Sequence, residues 1–240
     1  MKAVLSGIGA DEIFGGYPSF KKIALINQLQ KLPKAFLRLS TFVPSLRVKR
    51  LYYLSYNNTV GKYLFLRGFF NPMAISRLLG IPVSKVNELL KNFPVQHVDI
   101  GEFTPGEEAS WIERNLYMQN QLLRDTDVMS MSHGVEVRVP YLDQDFLHLV
   151  DHISPDIKFN GSIPKKLLID SFKDVLPEKI WNRPKMGFTF PLESWLKKNQ
   201  KITDLSNYNN EYAKTLIKRF KKGNLHWSKA FALFQVFNGN

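Results

Sequence analysis

The 240-residue chain contains no cysteine, which excludes a disulfide framework and a thiolate metal site. Its five histidines, at 97, 133, 148, 152 and 226, are scattered. His148 and His152 stand four apart and can share a helix face. No H-E-x-x-H glutamate lies between them, so solvated helix histidines are expected, with a metal site as the alternative. A run of about 18 apolar residues is absent, and Asp11 and Glu12 interrupt the start of the chain at once. Those features point to a cytoplasmic soluble protein without a membrane partner. Two phosphate motifs are missing as well: Gly7-x-Gly9 fails the last glycine of G-x-G-x-x-G, and no G-x-x-x-x-G-K-[ST] occurs.

Acid is also missing over a long stretch. Twelve basic residues and no Asp or Glu lie between Ile13 and Asn87, so this segment carries the whole formal charge of +12. Tyr52, Tyr53, Tyr56, Phe65, Phe69 and Phe70 are interleaved with the cations, a combination that can serve nucleic acid. No RNA-binding module pattern accompanies them. The preferred reading is therefore a helical insert with an aromatic core and a solvated basic face, or one that docks a missing acidic domain. Nucleic acid is not an expected partner.

What the chain does have is concentrated at its start. Ser6-Gly-Ile-Gly-Ala-Asp-Glu-Ile-Phe-Gly-Gly-Tyr17 follows the apolar run Ala3-Val4-Leu5 and packs four glycines and two acids into twelve residues. A strand that ends in a glycine turn is where ligands sit in an open α/β sheet, because backbone without Cβ atoms lets a nucleotide approach. The alternative is a glycine turn whose acids cap the next helix. Asp11 and Glu12 either anchor Mg²⁺ through water or fix the turn by accepting backbone N–H bonds.

The remainder reads as mostly helical. Residues 107 to 133 form a long amphipathic pattern with Glu107 and Glu108 in its first turn and Gly134 as its stop. Val135 to Val139 alternates apolar and charged side chains before Pro140, which suggests an extended segment. Asp143 is placed to cap a helix running through His152, and further helices are expected over Lys165–Val175 and Pro191–Lys198. At 240 residues the chain forms one domain, with or without a helical appendage.

The Ser6–Tyr17 stretch closely resembles the S-G-E-G-A-D-E-L-F-G-G-Y segment in the synthetase domain of glutamine-dependent asparagine synthetases. Ile8 stands where that family often has glutamate, and Ile13 replaces leucine. Leu122 to Asp143 resembles the family's L-L-R-x-D-R-M-S-M-A … E-V-R-V-P-F-L-D block, with Val128 in place of a usual basic residue. Lys165-Lys-Leu-Leu-Ile-Asp170 resembles its K-x-x-L-R-E segment. Arg183-Pro-Lys-Met-Gly-Phe188, with Pro191 and Trp195, resembles its R-x-K-x-G-F … P … W-L end. The four blocks follow the family's order and cover residues 1 to 20 and roughly 108 to 200.

The resemblance implies an α/β fold: part of a PP-loop ATPase sheet of the adenine-nucleotide α-hydrolase kind, with a predominantly helical remainder. It divides the chain into a basic helical segment (21–107), the best-matched synthetase core (108–200) and a helical tail (201–240). It implies an ATP-dependent ligase of the asparagine synthase (glutamine-hydrolysing) type, in which a small-molecule carboxylate is adenylated and then attacked by ammonia or an amine. Lys165 matches the catalytic lysine that meets charge on the α-phosphate and departing pyrophosphate. Ser6, Gly7, Gly9 and Asp11 match nucleotide-binding positions, and Arg183 and Lys185 are further candidates for phosphate contact. Glu136, Arg138 and Asp143 are expected to form a buried ion-pair brace. ATP and Mg²⁺ are the implied cofactors.

The family's glutaminase domain begins with a nucleophilic cysteine, and its synthetase domain opens with an S-G-G-x-D-S loop that holds pyrophosphate; neither occurs here. The chain is therefore expected to be the C-terminal portion of a longer enzyme. It should be marginal in stability and inactive alone, with an upstream synthetase segment and a glutaminase domain or protein as partners. Ile8 cannot handle a proton as glutamate can, so the acceptor and the amine stay open. The alternative function is a non-catalytic relic or a basic binding module on the same scaffold.

Overall fold

A computed structural model describes residues 2–43, 45–93, 103–161, 163–182 and 190–238. Ala3–Leu5 and Glu136–Arg138 form strands β1 and β2, paired in parallel with Ala3 opposite Glu136, Val4 opposite Val137 and Leu5 opposite Arg138. The Glu136 N–H donates to the Lys2 carbonyl at 3.0 Å and the Ser6 N–H to the Arg138 carbonyl at 2.8 Å, which extends the ladder at both ends. Among the described residues these two strands make the sheet, and the other regular elements are helical. The class is α/β with a helical majority. None of those helices is long and apolar enough to cross a membrane.

Glycine bounds the first helix on both sides. α1 (Ala10–Phe14) starts after Gly9 at φ 102° and ends at Gly15 at φ 80°. A residue with a Cβ would lose about 1–2 kcal/mol at a left-handed position of this kind, so the two glycines limit α1 to five residues.

The basic stretch folds as α2 (Pro18–Gln30), α3 (Lys34–Leu39), α4 (Leu46–Lys49), a 3₁₀ segment (Arg50–Tyr56), α5 (Thr59–Arg67), α6 (Pro72–Leu79) and α7 (Val83–Lys91). Asparagine side chains start two of these helices: Asn58 accepts from the Gly61 N–H and Asn71 from the Ala74 N–H, each at 2.9 Å. Ile23, Ile26, Leu37 and Leu54 form one buried cluster with Ala109, Ile112 and Leu116 of the next helical stretch. Each such side chain contributes roughly 1.5–3 kcal/mol by leaving water. Two of the segment's cations find their acids on that same stretch, Lys62 with Glu108 and Arg67 with Glu113.

Three of the segment's aromatics are out of reach of a nucleic acid, while Phe69 is 48% exposed. Tyr52, Tyr53 and Tyr56 are buried and cannot stack on bases. Binding of RNA or single-stranded DNA should be weak and nonspecific, and should fall steeply between two salt concentrations in a filter-binding titration. Tight binding that ignores salt and prefers one sequence would favour the binding-module alternative.

The long amphipathic stretch is helical over 105–131, in three parts. α8 (Pro105–Ile112) begins with a capping box: the Thr104 N–H donates to Glu107 Oε2 at 2.8 Å, and the Glu107 N–H donates to Thr104 Oγ1 at 3.4 Å. Glu113–Leu122 is a π-helix, and α9 (Leu123–Met131) completes the run. Wider π turns loosen backbone carbonyls, and asparagine amides meet them here. Asn115 Nδ2 donates to the Trp111 carbonyl at 2.9 Å, and Asn120 Nδ2 to those of Leu116 at 3.0 Å and Asn115 at 3.2 Å. Gly134, at φ 65°, turns the chain toward β2.

The C-terminal half continues with α10 (Gln144–Asp151), α11 (Pro155–Phe159), α12 (Lys166–Phe172), α13 (Glu178–Trp181), α14 (Leu192–Lys198), α15 (Gln200–Thr203), α16 (Glu211–Lys221) and α17 (Trp227–Asn238). α12 starts one residue after the expected Lys165, because Lys165 itself is left-handed, and it ends at Phe172 rather than Val175. α16 and α17 build a separate core with Leu78 of α6 and Ile202 of α15, centred on Phe220, Ala213 and Ile217. His148 and His152 are exposed, their rings 4.4 Å apart, with His152 Nδ1 at 2.6 Å from the His148 carbonyl.

Candidate functional site

The glycine turn leaves β1 at its carboxyl end. Ser6 is tied by its N–H to β2, and its Oγ accepts from the Ile8 N–H at 3.4 Å. Gly7 is exposed, and a Cβ there would meet nothing within 4 Å, so a ligand can lie against this backbone. Gly9 faces the other way. A Cβ at Gly9 would sit 2.8 Å from Leu142 Cδ2 and 3.0 Å from Tyr141 Cβ, so the turn is packed directly on the Pro140–Asp143 loop. Phe14 meets Tyr141 and Phe146 edge-on, with ring centroids 6.4 and 6.3 Å apart.

Glu12 is 1% exposed, and both of its carboxylate oxygens are occupied. Oε2 accepts from the Gly9 N–H at 3.1 Å and Oε1 from the Tyr17 hydroxyl at 2.7 Å. The Ser110 hydroxyl donates to the Glu12 carbonyl at 2.8 Å. Burial, reinforced by the hydrogen bond and charge of Glu12, pushes the Tyr17 hydroxyl far above its usual range, so it keeps its proton and donates. Arg67 lies 5.2 Å from the Tyr17 ring centroid and 3.3 Å from that of Tyr117, and its Nη2 is 2.5 Å from Glu113 Oε2. Of the two roles open to this acid, Glu12 takes the bracing one.

Asp11 points elsewhere. Its Oδ1 lies 3.0 Å from Lys165 Nζ, joining the first glycine block to the K-x-x-L block. Lys165 has φ 59° and ψ 32° and immediately precedes α12. A left-handed non-glycine residue costs about 1–2 kcal/mol, so the surrounding structure holds this lysine in a strained conformation. Beside the pair opens a cleft of about 300 Å³ walled by Phe20 and Phe159 and carrying Lys21, Lys158, Lys165 and Lys166. Lys158 is 7% exposed and donates to the Val150 carbonyl at 3.0 Å; burial lowers its pKa. Lys166 instead pairs with Asp170 along its own helix. The cleft thus combines apolar walls with cations, a setting that can meet a developing phosphoryl charge.

Other expected residues fall outside this group. Glu136 and Arg138 do pair, at 2.9 Å, but both side chains are well over half exposed. The buried brace is corrected to a surface pair, because alternate residues of β2 face one way and that face is uncovered. Asp143 caps α10, accepting from the Asp145 and Phe146 N–H groups at 3.1 and 3.2 Å, and among the described residues it is in no ion pair. Arg183 and Lys185 lie outside the described residues. Among the described residues there is no group of three or more His, Asp or Glu side chains that could hold a metal ion.

The residues so joined are those of one family. The asparagine synthase family model matches residues 1–217. The chain belongs to the asparagine synthase family. Asparagine synthetase (glutamine-hydrolyzing) 1 of Bacillus subtilis is 26% identical over 200 residues, covering 80% of this chain and 31% of the relative. A probable asparagine synthetase of Acanthamoeba polyphaga mimivirus is 37% identical over 106 residues, 39% of this chain and 19% of the relative. Asparagine synthetase of Mus musculus is 35% identical over 98 residues, 38% of this chain and 17% of the relative. The chain spans about a third of the length of the longest-matched of these asparagine synthetases. No solved structure matches it.

Within this asparagine synthase domain, sequence reasoning missed Lys158 and the Glu12–Tyr17–Arg67–Glu113 network. A glutamate three residues after the helix-capping Gly9 is a recognisable signal for the Glu12 bond. Nothing local marks Arg67 as the neighbour of Glu113.

Proposed function

We propose that this chain supplies the lysine-bearing side of the active site of an ATP-dependent amide-forming ligase resembling asparagine synthetase. The observation that carries the proposal is the Lys165–Asp11 contact at 3.0 Å, which unites two distant motif blocks beside a cation-lined cleft. In the proposed reaction a carboxylate oxygen of the substrate attacks the α-phosphorus of ATP. The new O–P bond forms as the bond to pyrophosphate breaks, and the nitrogen of ammonia or an amine then displaces AMP from the acyl carbon. Asp11 fixes the Lys165 ammonium, which meets the charge gathering on the α-phosphoryl oxygens and the leaving pyrophosphate. Gly7 gives the nucleotide close access to the backbone, and Ser6 offers a hydroxyl at the strand's end. Mg²⁺ fits this proposal as an ion carried on ATP's phosphates rather than in a protein cage.

The fold proposed is the carboxyl-terminal part of a PP-loop sheet. An upstream synthetase segment would supply the pyrophosphate loop, and a glutaminase domain or protein the ammonia. Uncovered apolar surface supports an upstream neighbour: Leu5 of β1 is 77% exposed, and Met129 of α9 is 70% exposed.

The chain alone is expected to give no ATP–pyrophosphate exchange with aspartate and Mg-ATP, since it lacks S-G-G-x-D-S. Exchange above a no-enzyme control would refute the proposed dependence on an upstream segment. Joined to a segment carrying that loop, the chain should exchange. Asp11→Asn should then cost about tenfold, because an ammonium without its anchoring carboxylate is less well placed.

A further inference from the structure

A second groove, of about 80 Å³, lies where the start of the 3₁₀ segment and the loop before α6 meet α16 and α17. Four cations from three stretches converge on it: Lys49 and Arg50, Arg219, and Lys229. No carboxylate lines it, and among the described residues none of the four belongs to an ion pair. Backbone carbonyls orient the two guanidinium groups, Arg50 Nη1 donating to Leu66 at 3.3 Å and Arg219 Nη2 to Asn224 at 3.4 Å. Each fork keeps donors for a ligand. Lys229 Nζ stands 5.3 Å from the Phe70 ring centroid.

Such a gathering is unfavourable without an anion. Like charges repel at short range, and partial burial takes away the water that would screen them. Lys229 shows the effect: burial, then the charges of Arg50, Arg219 and Lys49, bring its pKa down to about 8. Burial also lowers the pKa of Arg50. A doubly charged ligand would offset this repulsion.

We propose that this groove binds a phosphate group, either as inorganic phosphate or as the phosphate of a small phosphorylated metabolite. Two planar forks and two ammonium groups suit a tetrahedral dianion better than a carboxylate, which presents two oxygens in one plane. The volume favours a single phosphate group, well below the roughly 300 Å³ or more of a pocket that encloses a whole ligand. Asn71 already caps α6 beside the groove, so the side-chain cations are the recognition elements. The groove shares no residue with the Lys165 cleft, so this proposal stands or falls apart from the ligase reading.

Isothermal titration of the full chain with inorganic phosphate, AMP and acetate tests it, run on either side of pH about 8 in buffers of different ionisation enthalpy. Phosphate should bind with uptake of a proton, because the anion restores the charge on Lys229. Its affinity should fall as pH rises through about 8, where phosphate itself stays a dianion and Lys229 loses its proton. Lys229→Gln and Arg219→Gln should each weaken binding about tenfold or more. Lys165→Ala should leave it unchanged. Arg219 is exposed, so its variant folds even if Lys229→Gln does not. Tighter binding of AMP than of phosphate, lost in Arg219→Gln and kept in Lys165→Ala, would identify an ester as the source, and the reverse order free phosphate; either supports the proposal. No phosphate binding, acetate binding as tight as phosphate, or loss in Lys165→Ala with retention in Arg219→Gln would overturn it.

Discussion

Lys165→Ala, assayed in the chain joined to an upstream segment that carries the pyrophosphate loop, is expected to slow carboxylate adenylation by about 10²-fold or more. The charge it meets arises only as pyrophosphate departs, so the loss should appear in turnover more than in ATP affinity. Lys166→Ala is the control. Its ammonium is engaged by Asp170 one turn along the same helix, so that variant should lose little. Lys165→Arg should rescue only in part, since a planar fork does not replace a compact ammonium beside a crowded phosphate.

Lys165→Gly separates chemistry from folding. Glycine adopts φ 59° without strain, and the relief of about 1–2 kcal/mol offsets the greater entropy glycine loses on folding. Lys165→Gly should therefore melt close to the parent and be as inactive as the alanine variant. Small and equal losses of activity for Lys165→Ala and Lys166→Ala, with circular dichroism unchanged, would remove Lys165 from the reaction.

Arg67→Met should be the most destabilising of the surface-accessible changes, by about 2–4 kcal/mol. It strands Glu113, whose side chain is 1% exposed, and removes the cation that lies against Tyr117 and Tyr17. For a chain of this size the melting temperature should drop by roughly 5–15 °C. Adding Glu113→Gln should recover most of the loss, because the amide can be buried at far lower cost than a carboxylate. If Arg67→Met alone melts within a degree or two of the parent, the buried pair contributes little and the basic segment is held by its apolar core alone.

Local chemistry was legible from the sequence, and distance was not. Gly9, Gly15, Gly134 and Asp143 all act where their residue types predict, because a left-handed turn or a helix cap depends on a few neighbouring atoms. The alternation around Val137 likewise predicted β2. Charge pairing was read less well. Glu136 and Arg138 carry the right charges for a brace, but burial depends on what covers the strand, which two residues cannot encode. Arg67 and Glu113 meet only because α5 docks on the π-helical stretch, so neither position announces the other. The four cations of the second groove were visible only as part of an overall basic stretch and tail.

The parallel pairing of β1 with β2 has a kinetic consequence. Ala3 faces Glu136, and Asp11 faces Lys165, so neither contact can form until a loop of well over a hundred residues has closed. Closing such a loop costs about 4 kcal/mol in chain entropy beyond a constant. The helices between can form from neighbours in sequence on a much shorter timescale. Helical content should therefore mature early and the β1–β2 edge last, so a newly made chain passes through a helical state in which the Lys165–Asp11 contact does not yet exist.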